Sequence, residues 1–122
     1  MAQILVIEDE ANLSELYAQE LSDEGFQVVT ATNGKAGLEV LQNQAFDLVV
    51  LDLKMPQMDG IETLGKIVNQ HPNLPVVINS AYSRYKDDFR AWSAEAYVVK
   101  SADLGELIAT IKRILTERGI AP

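Results

Sequence analysis

Leu48-Val49-Val50-Leu51-Asp52, residues 48–52, is a run of four aliphatic residues that stops at a carboxylate. An unbroken aliphatic run with β-branched members suits a strand covered on both faces, as in a parallel sheet, whereas a strand with one wet face would alternate. Asp52 stands where that strand should end. In open parallel sheets, ligands bind outside the carboxyl ends of the strands. The residues that follow each apolar run are therefore the ones to read for chemistry.

Four more short apolar runs predict strands at residues 4–7, 26–29, 76–78 and 97–99, the second interrupted by Gln27. Helical spacing fills the gaps between them. Leu13, Leu16, Tyr17 and Leu21 mark a first helix, with Gly25 as its stop; Leu38 and Leu41 mark a second. Ile61, Leu64, Ile67 and Val68 mark a third, ended by Pro72. Tyr85, Phe89 and Trp92 mark a weaker fourth, in which Trp92 reads as a core anchor. The fifth runs through Leu104, Leu107, Ile111 and Ile114, and Asp103 with Glu106 three residues later predicts its capping box. Strand and helix alternate five times, which implies an α/β fold with a parallel sheet between two helical layers. One domain over residues 1–122 is expected, structured to about 118, with 119–122 as a frayed tail.

Composition narrows the function. The formal charge of −8 leaves no basic face for a direct nucleic-acid role. The absence of cysteine excludes disulfides, thiolate metal sites and cysteine nucleophiles, and fits a cytoplasmic location. No apolar run approaches membrane-spanning length, so no membrane association is expected. Lone His71, before Pro72, reads as a solvated turn residue, and Met55 and Met58 as packing.

The strand ends supply the chemistry. Glu8, Asp9 and Glu10 follow the first run, Asp52 the third, Asn79 and Ser80 the fourth and Lys100 the fifth. Crowded carboxylates need a positive partner, and oxygen ligands select a hard cation, Mg²⁺ or Ca²⁺. Mg²⁺ takes one or two carboxylates and accepts phosphate oxygens. A lysine supplies a point charge suited to phosphate, a serine hydroxyl can hydrogen-bond a phosphoryl oxygen, and a carboxylate can itself be a phosphoryl acceptor. The edge reads as a Mg²⁺-assisted phosphoryl-transfer site with an aspartyl-phosphate product.

Over its whole length the chain resembles the receiver domains of bacterial response regulators. The resemblance rests on Glu8-Asp9, on Asp52-Leu53-Lys54-Met55-Pro56 through Asp59-Gly60, on Ser80-Ala81 and on Tyr97-Val98-Val99-Lys100, in order and each after the matching strand. It implies a flavodoxin-like (βα)5 fold, doubly wound, with strand order 2-1-3-4-5. It implies Asp52 as phosphoacceptor, and Asp9, Asp52 and the Lys54 backbone carbonyl as Mg²⁺ ligands, with Glu8 acting through water. Lys100 matches the lysine that pairs with phosphoryl oxygens, Ser80 the switch hydroxyl and Tyr97 the switch aromatic. The implied partners are a sensor histidine kinase or a histidine phosphotransfer protein, and an output domain or protein of unknown kind. Phosphorylation would remodel the face made by the fourth helix, fifth strand and fifth helix. The implied activity is that of a signalling phosphoacceptor with self-phosphorylation and autodephosphorylation chemistry, not of a turnover enzyme.

Four further positions set this chain apart within the family pattern. Ser101 follows Lys100 where the family commonly has a proline with a cis bond, which predicts either a retained cis bond or a rearranged trans loop. Tyr82 stands two residues after Ser80 and is expected to hinder the water that removes the phosphoryl group. Ala96 and Thr110 replace an acid and an arginine used for dimerisation by regulators with winged-helix outputs, so a monomer or weak dimer is expected. Rival readings fit less well. A flavodoxin-like cofactor module would need a phosphate cradle where Glu8-Asp9-Glu10 stand. An aspartate phosphatase would have a second aspartate at position 54, which is Lys54. A degenerate receiver that acts as a phosphorylation-independent interaction module remains the alternative.

Overall fold

Every aliphatic run predicted as a strand is one in the computed structural model, which describes residues 1–54, 60–81 and 91–120. In chain order the elements are β1 (Gln3–Ile7), α1 (Ala11–Asp23), β2 (Gln27–Ala31), α2 (Gly34–Asn43), β3 (Leu48–Leu51), α3 (Gly60–Gln70), β4 (Val76–Ser80), β5 (Ala96–Val99) and α4 (Gly105–Glu117). The strands form one sheet in the order β2-β1-β3-β4-β5, and all four pairings are parallel. The doubly wound order 2-1-3-4-5 is thus the observed one. The predicted fourth helix, with Tyr85 and Phe89, lies outside the described residues, as do Tyr82, Met55 and Met58. The predicted fifth helix is α4.

The interior strands β1, β3 and β4 are buried along nearly their whole length, and their alternate side chains feed two separate cores. Ile4, Val6, Leu48, Val50 and Val77 pack against α1 and α4 through Leu21, Leu107 and Ile111. Leu5, Ile7, Val49, Leu51 and Ile78 face α2 and α3 through Leu38, Leu64 and Ile67. A strand with a core on each side cannot alternate polar and apolar residues, which is why these runs were continuous. β2 lies at the sheet edge and exposes Gln27 and Thr30, so its run was broken. β4 is two residues longer than predicted: Asn79 pairs with Val98 and Ser80 with Val99, because ladder pairing needs only the backbone.

α1 ends in a Schellman motif. Gly25 adopts φ +97°, its N–H donates to the Ser22 carbonyl, and the Phe26 N–H donates to Leu21. α4 ends the same way: the Gly119 N–H donates to Thr116 and that of Ile120 to Leu115. Gly119 and Ile120 therefore close the last helix instead of fraying, and Ile120 packs against the core; 121 and 122 lie outside the described residues. The start of α4 also corrects an expectation. Asp103 Oδ1 accepts from the Gly105 N–H at 2.8 Å, but the Asp103 N–H donates to Ser101 Oγ at 3.2 Å. Ser101 thus takes the N–H that Glu106 would have needed, and the helix begins at Gly105 without the capping box. Trp92 is no core anchor. The chain reverses at 91–94 with the Ala94 N–H bonded to the Ala91 carbonyl; Ala91 faces inward and Trp92 is 69% exposed. No helix among the described residues is long and apolar enough to cross a membrane.

Candidate functional site

The parallel register decides which side chains meet beyond the strand ends. Ile7 pairs with Leu51, so Glu8 and Asp52 emerge side by side. Both residues lie one step past the alternation that sends Leu5, Ile7 and Leu51 towards α2 and α3, so both side chains turn towards the α1 and α4 face. The ends are tied by backbone bonds: the Asp52 N–H donates to the Ile7 carbonyl and the Lys100 N–H to the Ser80 carbonyl at 2.7 Å. Together they form a cleft of about 370 Å³ lined by Glu8, Asp9, Glu10, Asp52, Lys54, Ala81 and Lys100. A second, more open depression of about 430 Å³ lies between the α2–β3 connection and His71 and is lined by no carboxylate.

Within the cleft, Glu8 and Asp52 are buried and Asp9 is exposed at the mouth. Carboxylate oxygens of all three lie within 4.8 Å of one another. The Lys100 ammonium bridges the two buried acids, 2.8 Å from Glu8 Oε1 and 3.2 Å from Asp52 Oδ2. Asp52 Oδ1 accepts from the Lys54 N–H at 3.1 Å, and Glu8 Oε2 from the Glu10 N–H at 3.1 Å. Glu8 Oε1 meets Lys100 as an ion pair only; it has no aligned hydrogen-bond donor. Burial pushes the Glu8 carboxyl above its ordinary value, against the opposing pull of Lys100 and of the Glu10 amide. Burial alone would favour the neutral amine of Lys100, but Glu8 and Asp52 outweigh it and hold the ammonium above its ordinary value.

The peptide bond between Lys100 and Ser101 is trans, and Lys100 nonetheless points into the cleft. Of the two outcomes left open by Ser101, the trans loop is the observed one. Ser80 is fully buried at the end of β4. Tyr97 is half-buried on β5 and packs towards the α2 and α3 core. The Lys54 side chain is exposed at the cleft.

The donor set fits a hard divalent cation. Three carboxylates face one ammonium, so net negative charge remains, and an unaligned carboxylate oxygen leaves acceptor capacity in reach. The spacing reading did not foresee the pair behind the cleft. Asn79, 2% exposed, lies against the Tyr17 hydroxyl yet its Nδ2 lacks an aligned acceptor. The available signal was a lone amide ending the otherwise aliphatic run of β4.

Comparison with known proteins bears on this geometry. A sequence model of the response regulator receiver domain matches residues 4–112. The chain is 38% identical over 117 residues to the response regulator ArlR of Staphylococcus aureus strain Mu50, covering 94% of this chain and 53% of ArlR. The chain thus spans about half the length of that curated relative. The response regulator TrrA of Thermotoga maritima, solved with Mg²⁺ and BeF, superimposes with a TM-score of 0.92 at 39% identity, over 94% of this chain and 100% of that one. TrrA solved in complex with the histidine kinase ThkA gives a TM-score of 0.89 at 39% identity, over 94% of this chain and 99% of that one. A CheY-like receiver domain protein from Methanospirillum hungatei gives 0.92 at 27% identity, over 98% and 97%. With a family match across most of its length, the same strand order and relatives at this level of identity, the chain belongs to the response regulator receiver domain family.

Proposed function

We propose that the chain is a phosphorylation-dependent signalling switch whose acceptor is Asp52. The observation that carries this reading is the Lys100 ammonium held between Glu8 and Asp52 in a cleft that Asp9 borders. In the transfer, an Asp52 carboxylate oxygen forms a bond to phosphorus as the phosphorus–nitrogen bond of a kinase or phosphotransfer-protein phosphohistidine breaks. The imidazole leaves with the electron pair, and Asp52 becomes an acyl phosphate. Mg²⁺ would be held by Asp9, Asp52 and the Lys54 carbonyl, with Glu8 acting through water, and would neutralise charge on the phosphoryl oxygens. Lys100 pairs with a phosphoryl oxygen, Ser80 hydrogen-bonds another, and Tyr97 follows Ser80. That change is read out on the face that includes β5 and α4, the fifth strand and the fifth predicted helix.

Complex formation between TrrA and ThkA supports a histidine kinase as the donor. Residues 1–122 act as one receiver unit in the cytoplasm, as a monomer or weak dimer that makes no direct contact with nucleic acid. The output, whether a further domain or a separate protein, is set outside this unit. The phosphoryl group is lost by hydrolysis at Asp52, slowed by Tyr82; Tyr82→Ala is expected to speed dephosphorylation, and an unchanged rate refutes that role. The test of the main reading is intact mass after incubation with Mg²⁺ and phosphoramidate. One added phosphoryl group, dependent on Mg²⁺ and absent from Asp52→Asn, is expected. No adduct, together with no Mg²⁺ binding, would instead identify a phosphorylation-independent interaction module.

A further inference from the structure

Asn79 is an anomaly of the sheet. Leu51 pairs with Ile78, so Asn79 stands directly abreast of Asp52, as Glu8 does on the other side. The three side chains form a row across the α1 and α4 face at one level, and Asn79 pairs in turn with Val98, two residues before Lys100. Every other residue that β1, β3 and β4 turn towards this face is apolar. A carboxamide that is 2% exposed with an unaligned donor is costly, and a plain aliphatic residue would fill the place without that cost. Its neighbour on α1 is the hydroxyl of Tyr17, a residue 2% exposed in a core that is otherwise hydrocarbon. Tyr17 and Lys100 also line one shared cavity of about 260 Å³. Neither Tyr17 nor Asn79 lines the acidic cleft.

We propose that Tyr17 and Asn79 are positioning residues that act through Lys100: a buried polar brace behind the cleft that holds the ammonium where it meets the incoming phosphoryl group. This rests on Asp52 being the acceptor. A lysine has four rotatable bonds, and its ammonium is useful only at one place. Glu8 and Asp52 hold it from the front while the site is free. Once it turns to a phosphoryl oxygen, those contacts are given up. The brace borders it from behind in both states, so its effect falls on the rate of transfer and spares the Mg²⁺ ligands.

The experiment uses the full chain, saturating Mg²⁺ and phosphoramidate, with Tyr17→Phe, Asn79→Leu, Lys100→Met and the double variants that combine each brace change with Lys100→Met. Wild-type labelling at Asp52 is the control, and its absence would sink the acceptor assignment instead of the brace. The brace predicts that Tyr17→Phe and Asn79→Leu keep the Mg²⁺ dissociation constant within about twofold while the saturating transfer rate falls roughly tenfold. In the Lys100→Met background neither change lowers the rate further. Wild-type rates in both single variants overturn the proposal, and so do losses that persist at full size without Lys100. Tyr17→Phe removes one oxygen and keeps the ring, so it decides the matter even if Asn79→Leu does not fold.

Discussion

Replacing Lys100 with Met should destabilise the metal-free protein through charge alone, because Met keeps most of the stem and removes the ammonium. The loss leaves Glu8 and Asp52, with side chains only 2% and 6% exposed, facing each other without a cation. Breaking a buried ion pair by deleting one partner costs about 3–5 kcal/mol. The Lys100 side chain is itself 16% exposed and the cleft is open at Asp9, so water offsets part of the repulsion and the low end applies, about 3 kcal/mol. For a domain of this size that is a fall in Tm of about 12 °C, at about 4 °C per kcal/mol. The assay is urea and thermal unfolding at pH 7 in a chelator, for Lys100→Met in the wild-type chain and in a Glu8→Gln/Asp52→Asn chain. In the second background the acids are neutral, and the same substitution should cost less than about 1 kcal/mol or stabilise. An equal loss in both backgrounds would show that Lys100 contributes by packing its stem, and the electrostatic account of the cleft would fail.

The same logic predicts the sign of a change at Glu8. Its carboxyl is held above the ordinary value of 4.5, so the stability linked to it is present below that pH and lost as pH rises through the raised value. Glu8→Gln should therefore be more stable than wild type at pH 7 without metal, with the gap closing as pH falls towards 4.5; unfolding across pH 4–8 measures it. Mg²⁺ at one hundred times its dissociation constant should stabilise the wild type by about 2.7 kcal/mol, and calorimetry should find that gain largely gone in Asp9→Asn. Gly60→Ala would place a Cβ 2.2 Å from Leu53 Cα and 2.5 Å from the Leu53 carbonyl oxygen, a backbone collision expected to cost about 1–3 kcal/mol. It should also weaken Mg²⁺ binding, since Leu53 lies between Asp52 and Lys54. Gly65→Ala, exposed in the same helix with nothing within 4 Å, should instead stabilise by about 0.5–1 kcal/mol. Chemical denaturation of the two variants separates the effects.

The strands and the acids at their ends were legible because both follow from local pattern. A run such as 48–51 names a doubly covered strand, and the residue after it is at the sheet edge by chain order alone. What failed was decided by competition or by register. The capping box at Asp103 lost its N–H to Ser101 Oγ, a contest between neighbours that spacing does not rank. Trp92 continued a helical period on paper, but the period means nothing once the chain reverses at 91–94. Asn79 could be read as a residue near a strand end. That it stands abreast of Asp52 follows only from the pairing of Leu51 with Ile78, and that Tyr17 meets it follows from how α1 crosses the sheet.

Lys100 joins the stability of the free protein to its chemistry. In the free state it offsets two buried carboxylates, and under the function proposed above the same ammonium is needed at the phosphoryl group during transfer. It cannot do both at full strength. As Lys100 turns away, the repulsion between Glu8 and Asp52 returns, and a divalent cation at the Asp9 side of the cleft becomes more favourable than before. Metal binding and phosphoryl binding are then coupled through one lysine, and linkage requires the coupling to be reciprocal: each raises the affinity for the other by the same factor. Ser80 is tied to Lys100 through its carbonyl, which accepts the Lys100 N–H at 2.7 Å. That backbone hydrogen bond fixes the root of the Lys100 side chain at the junction of β4 and β5, where Ser80 pairs with Val99.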